Sequence, residues 1–226
     1  MNRPVSRAIP HTDVIATIKT SMMGFLAAVA VALALMAVRP APASAFAPED
    51  KARLEAGEPI VRVTPAEGPI DGQVDAMMDI PAPAAAVYSA LTECANAPEV
   101  FPSLKSCRVM QAGPSQTWDV REHKVASWAS FLPDMSTVFR SDYEPDRRIA
   151  FRLISGDLQH LEGEWRLEPI AGGAATRVTY RARVGFHALV PGFLVRQSLA
   201  ADVPKFLAAI RAESVRRAPL FAARKS

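Results

Sequence analysis

PGFLVRQSLAADVPKFLAAIRAESVRR, residues 191 to 217, sets the problem the rest of the chain has to solve. Val195, Leu199, Val203, Phe206 and Ile210 recur at helical spacing, while Arg196, Lys205 and Arg211 keep largely to other faces. Pro191-Gly192 opens the stretch, where a missing N–H costs nothing. Pro204 sits inside it and cannot donate to the carbonyl of Ala200, which predicts a kink. A long amphipathic helix needs a surface to cover. The sequence before it reads as strands, so that surface is one face of an antiparallel sheet.

The strands follow outward from the helix. Val178, Tyr180, Ala182, Val184 and Phe186 alternate with Thr179, Arg181 and Arg183. Trp165 and Leu167 alternate with Glu164, Arg166 and Glu168; Ile149, Phe151 and Leu153 follow the turn Glu144-Pro145-Asp146. Thr137, Phe139, Ser141 and Tyr143 share a face. In Gln116 to Val125, Trp118 and Val120 are placed inward, with Asp119, Arg121 and His123 outward. That parity brings Glu122 and Lys124 to the tryptophan side, read as the sheet's rim or a bulge. Further back come Cys107 and Val109, then Val74, Ala76, Met78 and Ile80, and a short run at Ile60 to Val63. Pro81-Ala82-Pro83 ends a strand and opens a helix bearing Val87, Tyr88 and Leu91. A second helical turn lies between Asn96 and Pro102. The expectation is an α+β fold: a curved antiparallel sheet of six to seven strands around a long C-terminal helix, with two short helices after the first domain strand.

The net charge of +3 resides in the first 45 residues, where Arg3, Arg7, Lys19 and Arg39 face Asp13 alone. The remainder is balanced, which argues against a general nucleic-acid binder. Arg211, Arg216, Arg217, Arg224 and Lys225 read as a solvated helix face and tail, with weak attraction to anionic headgroups as the other reading. Ser21 to Val38 is an uncharged run of 18 residues followed by Ala43-Ser44-Ala45, a small-x-small cleavage pattern. Two readings stay open: a signal peptide over 1–45, or an anchor that keeps 21–38 in the inner membrane. Either places the body on the exported, periplasmic side. There Cys94 and Cys107 form a disulfide or pack as two thiols. Past the leader, the divisions are an arm over 46–59, a domain over 60–217 and a basic tail over 218–226.

Asp79-Ile80-Pro81-Ala82-Pro83 running into Val87-Tyr88-Ser89-Ala90-Leu91, the strand Gly163-Glu164-Trp165-Arg166-Leu167-Glu168-Pro169, Thr176-Arg177-Val178-Thr179-Tyr180 and Val190-Pro191-Gly192-Phe193-Leu194-Val195-Arg196 resemble the START-like (SRPBCC) superfamily. Within it they are most similar to the polyketide cyclase/dehydrase and lipid-transport branch that includes coenzyme Q-binding proteins. The resemblance implies a helix-grip fold with a cavity between sheet and closing helix that holds an apolar ligand. The inward residues that would wall it are Trp118, Phe139, Tyr143, Phe151, Trp165, Tyr180, Phe186, Leu199, Val203 and Phe206. Tyr143 and Tyr180 are the natural polar anchors.

No nucleophile stands beside a base, and the four histidines and two cysteines show no metal-ligand spacing. Ser198 and Asp202 share a helical face without a histidine. Glu122 is the leading acid–base candidate if it lies inward, with a pKa raised by burial; His123 replaces it if the register slips by one. The reading is a monomeric binder or carrier of a hydrophobic small molecule (lipid, quinone or polyketide-like), without cofactor and with transient membrane contact. The alternatives are a cyclase/dehydratase-type or hydrolytic enzyme using the same cavity, and an exported protein-interaction module.

Overall fold

The computed structural model describes residues 49–66, 72–101, 103–126, 134–186 and 191–222. The leader expected over 1–45 lies outside them. Among the described residues eight strands form one antiparallel sheet: β1 (Ile60–Pro65), β2 (Gly72–Ile80), β3 (Leu104–Ala112), β4 (Trp118–Val125), β5 (Met135–Glu144), β6 (Arg148–Gly156), β7 (Leu158–Ile170) and β8 (Ala175–Phe186). Their spatial order is β1-β2-β8-β7-β6-β5-β4-β3. The chain therefore starts at one edge, crosses to the other after β2, and returns strand by strand until β8 pairs with β2. The sheet exceeds the expected six to seven strands because β1 is a full partner of β2, in register from Ile60 opposite Met77 to Pro65 opposite Gly72.

The crossing is made by α2 (Ala84–Thr92), a 3-10 turn (Cys94–Asn96) and α3 (Ala97–Val100). Pro83 precedes α2 in extended conformation, as the Pro-Ala-Pro run predicts. A short α1 (Asp50–Glu55) precedes β1 and ends at Gly57, whose φ of +78° is open to glycine at little cost. Cys94 and Cys107 are joined in a disulfide with their Cα atoms 5.3 Å apart, tying the 3-10 turn to edge strand β3.

The closing helix, α4, runs Gly192–Ala222. It buries Val203, Leu207 and Ile210 against Val74, Ala76 and Met78 of β2, Trp165 and Leu167 of β7 and Val178 of β8, and Val195 is buried near its start. Each large aliphatic side chain buried this way contributes roughly 1.5–3 kcal/mol before chain entropy is subtracted. The helix continues unbroken through Pro204. Ala200, whose carbonyl loses its donor there, is exposed, so solvent can take that bond.

The helix also extends five residues past Arg217; of the basic face expected to be solvated, Arg216 is exposed but Arg217 is not. Arg217 is only 6% exposed. It donates to Glu213 and to Ser89 Oγ at 2.6 Å and pairs with Glu93 at 2.7 Å. Arg216 pairs with Glu213 and Glu99, and Arg211 donates to the carbonyl of Gly57. Glu93 just past α2, Glu99 of α3 and Glu213 of α4 thus clamp Arg216 and Arg217 near the helix C-terminus, while Arg224 and Lys225 lie outside the described residues.

Candidate functional site

The side chains of β4 face the opposite way from the sequence expectation. Asp119 and Arg121 point to the concave side and are 7% and 5% exposed; His123 follows them inward. Trp118 lies on the convex side, where the guanidinium of Arg140 sits 4.3 Å from its ring centroid. Trp118 is thus not a wall residue. The physical reason is an ion pair. Arg121 Nε donates to Asp119 Oδ1 at 3.0 Å, and Nη2 donates to Asp119 Oδ2, to the phenol oxygen of Tyr143 and to the carbonyl of Thr92. Two charges that satisfy each other and cap the C-terminal end of α2 can occupy a face that apolar counting assigns to solvent.

Around this group lies a cavity of about 160 Å³. Leu91 of α2 and Phe101 after α3 form one side. Arg121, His123, Phe139, Ser141, Tyr143, Ile149, Phe151, Leu161, Trp165 and Tyr180 come from β4 to β8. The rings are mutually packed: Trp165 stacks on Tyr180 at 4.1 Å between centroids, Phe151 stacks on Tyr180 at 6.3 Å, and Phe139 meets His123 edge-on at 4.7 Å. Gly163 in β7 permits this packing, because a Cβ there would lie 2.7 Å from Phe151 Cζ and 2.3 Å from the carbonyl oxygen of Arg181. Phe206 of α4 closes the roof, 5.5 Å from Tyr180 and 6.0 Å from Trp165.

A second chamber of about 310 Å³ adjoins the first under α4, lined by Ser103, Leu104, Val125, Leu199, Asp202, Lys205 and Phe206. Phe101 and His123 line both chambers. They stand 6.2 Å apart between centroids and form the partition, with Phe206 5.8 Å from Phe101 on the helix side.

The electrostatics of the inner chamber are close to neutral overall. Burial opposes the charge on Arg121, but its hydrogen bonds to Asp119 outweigh that and hold its pKa above the usual value. Burial, reinforced by the Arg121 charge, pulls His123 down to about 4, so its imidazole is uncharged at neutral pH. Nε2 of His123 is buried without a hydrogen-bond partner. Burial pushes the phenols of Tyr143 and Tyr180 upward, and both stay protonated. The result is an aromatic sleeve with a few donors at one end, suited to an apolar molecule bearing a polar group.

Of the ten expected wall residues, Phe139, Tyr143, Phe151, Trp165 and Tyr180 meet in the inner chamber, and Leu199 and Phe206 in the outer one. Val203 is fully packed into the core, and Phe186 lies half-buried at the end of β8, lining neither chamber. Glu122, expected inward with a raised pKa, points to the convex side. It accepts from Ser136 Oγ and Arg108 there, and its pKa is lowered, first by Ser136 and then by Arg108. It is a paired surface carboxylate. His123 takes the inward place, as the alternative register requires. Ser198 and Asp202 bond each other at 3.2 Å on the exposed flank of α4.

Sequence reasoning missed Asp119, Arg121, Leu91, Phe101 and Leu161. The available signal was the spacing Asp119-x-Arg121, an opposite-charge pair on one strand face, with Glu122 and Lys124 spoiling the other. Among the described residues no group of three or more His, Cys, Asp or Glu side chains is arranged to hold a metal ion. No helix among them is long and apolar enough to cross a membrane. A shallower basin of about 440 Å³ on the convex face is lined by charged side chains such as the pair Arg183–Glu162.

Residues 80–211 match the family model described as polyketide cyclase/dehydrase and lipid transport, more than half of the chain. The chain belongs to that family. Solved structures similar to this chain include the ZhuI aromatase/cyclase from Streptomyces sp. R1128, with 21% identity and TM-score 0.54 over 65% of this chain and 95% of that one. A STAR-related lipid transfer protein from Xanthomonas axonopodis shares 20% identity and TM-score 0.55, over 69% of this chain and 93% of that one. Human STARD10 shares 12% identity and TM-score 0.56, over 81% of this chain and 84% of that one. At such identities the likeness is one of fold. No curated protein matches the sequence. The narrower likeness to coenzyme Q-binding proteins is not shown by these matches.

Proposed function

We propose that this protein binds one hydrophobic small molecule (a lipid, quinone or polyketide-like compound) between the sheet and α4, as an exported carrier or binding protein. The observation that carries the reading is the aromatic sleeve of Phe139, Phe151, Trp165 and Tyr180, roofed by Phe206 and ended by the buried Arg121–Asp119 pair. A simple packed core has no reason to retain a buried ion pair beside open volume, because the desolvation of both charges is costly. Together the chambers of about 160 and 310 Å³ fall within the range of small-ligand sites, roughly 300–1,000 Å³. The similar structures support a hydrophobic occupant, one being named a lipid transfer protein and another an aromatase/cyclase. The periplasmic placement rests on the leader sequence and on the joined cysteines. The test is organic extraction of protein purified from its native host, followed by untargeted mass spectrometry. A stoichiometric apolar compound is expected; an extract indistinguishable from that of an unrelated exported protein overturns the reading.

One observation favours catalysis as the second reading. An uncharged imidazole, His123, faces the cavity beside Arg121, as a proton-transfer group acting on a bound carbonyl compound would. Incubation of the extracted compound with the protein separates the two. Carriage returns it unchanged, whereas a cyclase or dehydratase converts it and loses that conversion in His123→Phe.

A further inference from the structure

We propose that the Cys94–Cys107 disulfide is a redox latch on the partition between the two chambers. This rests on the reading of the chambers as the ligand site. The bond closes the segment from 94 to 107, and that loop carries Phe101 near its middle and Leu104 in the outer wall. At one end Cys94 opens the turn that leads into α3, whose C-terminus presents Phe101 to both chambers. At the other end Cys107 sits directly opposite His123 in the β3–β4 register. The covalent bond therefore joins the backbones that carry the two faces of the partition, Phe101 and His123. Both cysteines are half-buried, so a thiol from solvent can approach them.

Without the bond, α3 is held by the buried side chains of Ala97 and Val100 and by an exposed contact between Glu99 and Arg216. The domain keeps its core, and what loosens is the short segment that positions Phe101. In the disulfide form Phe101 stays against His123 and Phe206, and a ligand must pass a fixed narrow partition. In the dithiol form Phe101 swings more freely and the chambers exchange. The chemistry is thiol–disulfide exchange with a dithiol partner. A thiolate of the partner attacks one sulfur and the second partner thiol resolves the mixed disulfide. The partner leaves as its own disulfide, and Cys94 and Cys107 have gained two electrons and two protons.

The test follows the dissociation of a neutral apolar fluorophore, N-phenyl-1-naphthylamine, by stopped-flow dilution. Four proteins are compared with and without prior reduction by dithiothreitol: wild type, Cys94→Ser/Cys107→Ser, Phe101→Ala, and the triple variant. Reduction of wild type is expected to speed release about tenfold. The serine pair should be fast in either condition. Phe101→Ala should be fast while oxidised and gain less than about twofold on reduction, because the latch has nothing left to hold. Equal release rates for oxidised and reduced wild type overturn the latch while leaving the cavity intact. An undiminished reduction effect in Phe101→Ala also overturns it, since the bond then loosens the domain generally. Failure of the fluorophore to bind any form removes the ligand site and the latch with it.

Discussion

Asp119→Leu and Arg121→Met probe the feature that most distinguishes this interior, a salt bridge on the inward face of β4. With both partners under a tenth exposed, removal of either leaves the other without its counter-charge, a loss of roughly 3–5 kcal/mol at neutral pH. The two losses differ in kind. Arg121 cannot shed its proton, so Asp119→Leu keeps a full buried charge with only Thr92 and Tyr143 as acceptors. The lone carboxyl left by Arg121→Met can escape by taking up a proton. Its native state then binds one more proton than the unfolded chain, and stability rises by up to about 1.4 kcal/mol for each pH unit lowered. Lowering the pH from 7 to 5 should therefore narrow the deficit of Arg121→Met relative to wild type and leave that of Asp119→Leu in place. The double variant Asp119→Leu/Arg121→Met should recover most of the loss, because no charge remains to be buried. Urea unfolding of the four proteins at both pH values, at constant m, gives the cycle directly. Two single losses below about 1 kcal/mol that simply add in the double variant are what an exposed pair gives. That result refutes the inward register of β4 and with it the polar end of the cavity.

The folded pKa of His123, near 4 against an ordinary 6.5, means that the unfolded chain binds more protons between those values. Its contribution, roughly 3 kcal/mol, is complete above about pH 6.5 and is lost as pH falls towards 4; His123→Phe should flatten that part of the stability profile, and an unchanged slope refutes its burial. Gly163→Ala forces a methyl against the Arg181 carbonyl and the Phe151 ring, and should cost roughly 1–3 kcal/mol in chemical denaturation; unaltered stability contradicts the close approach. Pro204→Ala restores a donor for Ala200 within a helix that is already continuous, and should raise stability by roughly 1–3 kcal/mol. A lowered melting temperature would show instead that the proline shapes the helix to the sheet.

The helix-grip architecture was legible because its elements obey simple periodicities. Val195, Val203 and Ile210 are buried on the inner face of α4 with Leu199 and Phe206 half-buried beside them, and Val178 to Val184 do alternate onto the core. Five of the twelve residues lining the inner chamber followed from the same rule, since Phe139, Tyr143, Phe151, Trp165 and Tyr180 are large aromatic residues at inward parity. The rule failed at β4, where inward residues are charged and the outward Trp118 is covered by Arg140 rather than by a core. Binary patterning counts polarity and cannot see that two opposite charges neutralise one another at i and i+2. It failed again at Arg217, whose partners Glu93 and Ser89 lie more than a hundred residues earlier. Phe101 was invisible for a third reason. It follows a short helical turn without periodicity, and the disulfide and the packing of α3 on α4 bring it to the cavity.

The most direct test of the central claim uses Trp165, which lies inside the inner chamber while Trp118 lies on the convex face. In a Trp118→Phe/Trp128→Phe background, Trp165 is the sole tryptophan of the original three. Titration with N-phenyl-1-naphthylamine should then quench Trp165 saturably at one equivalent, with matching energy transfer to the probe, and Phe206→Ala should weaken that binding. Unchanged Trp165 emission at saturating probe, with the protein still folded, would contradict a ligand site between the sheet and α4.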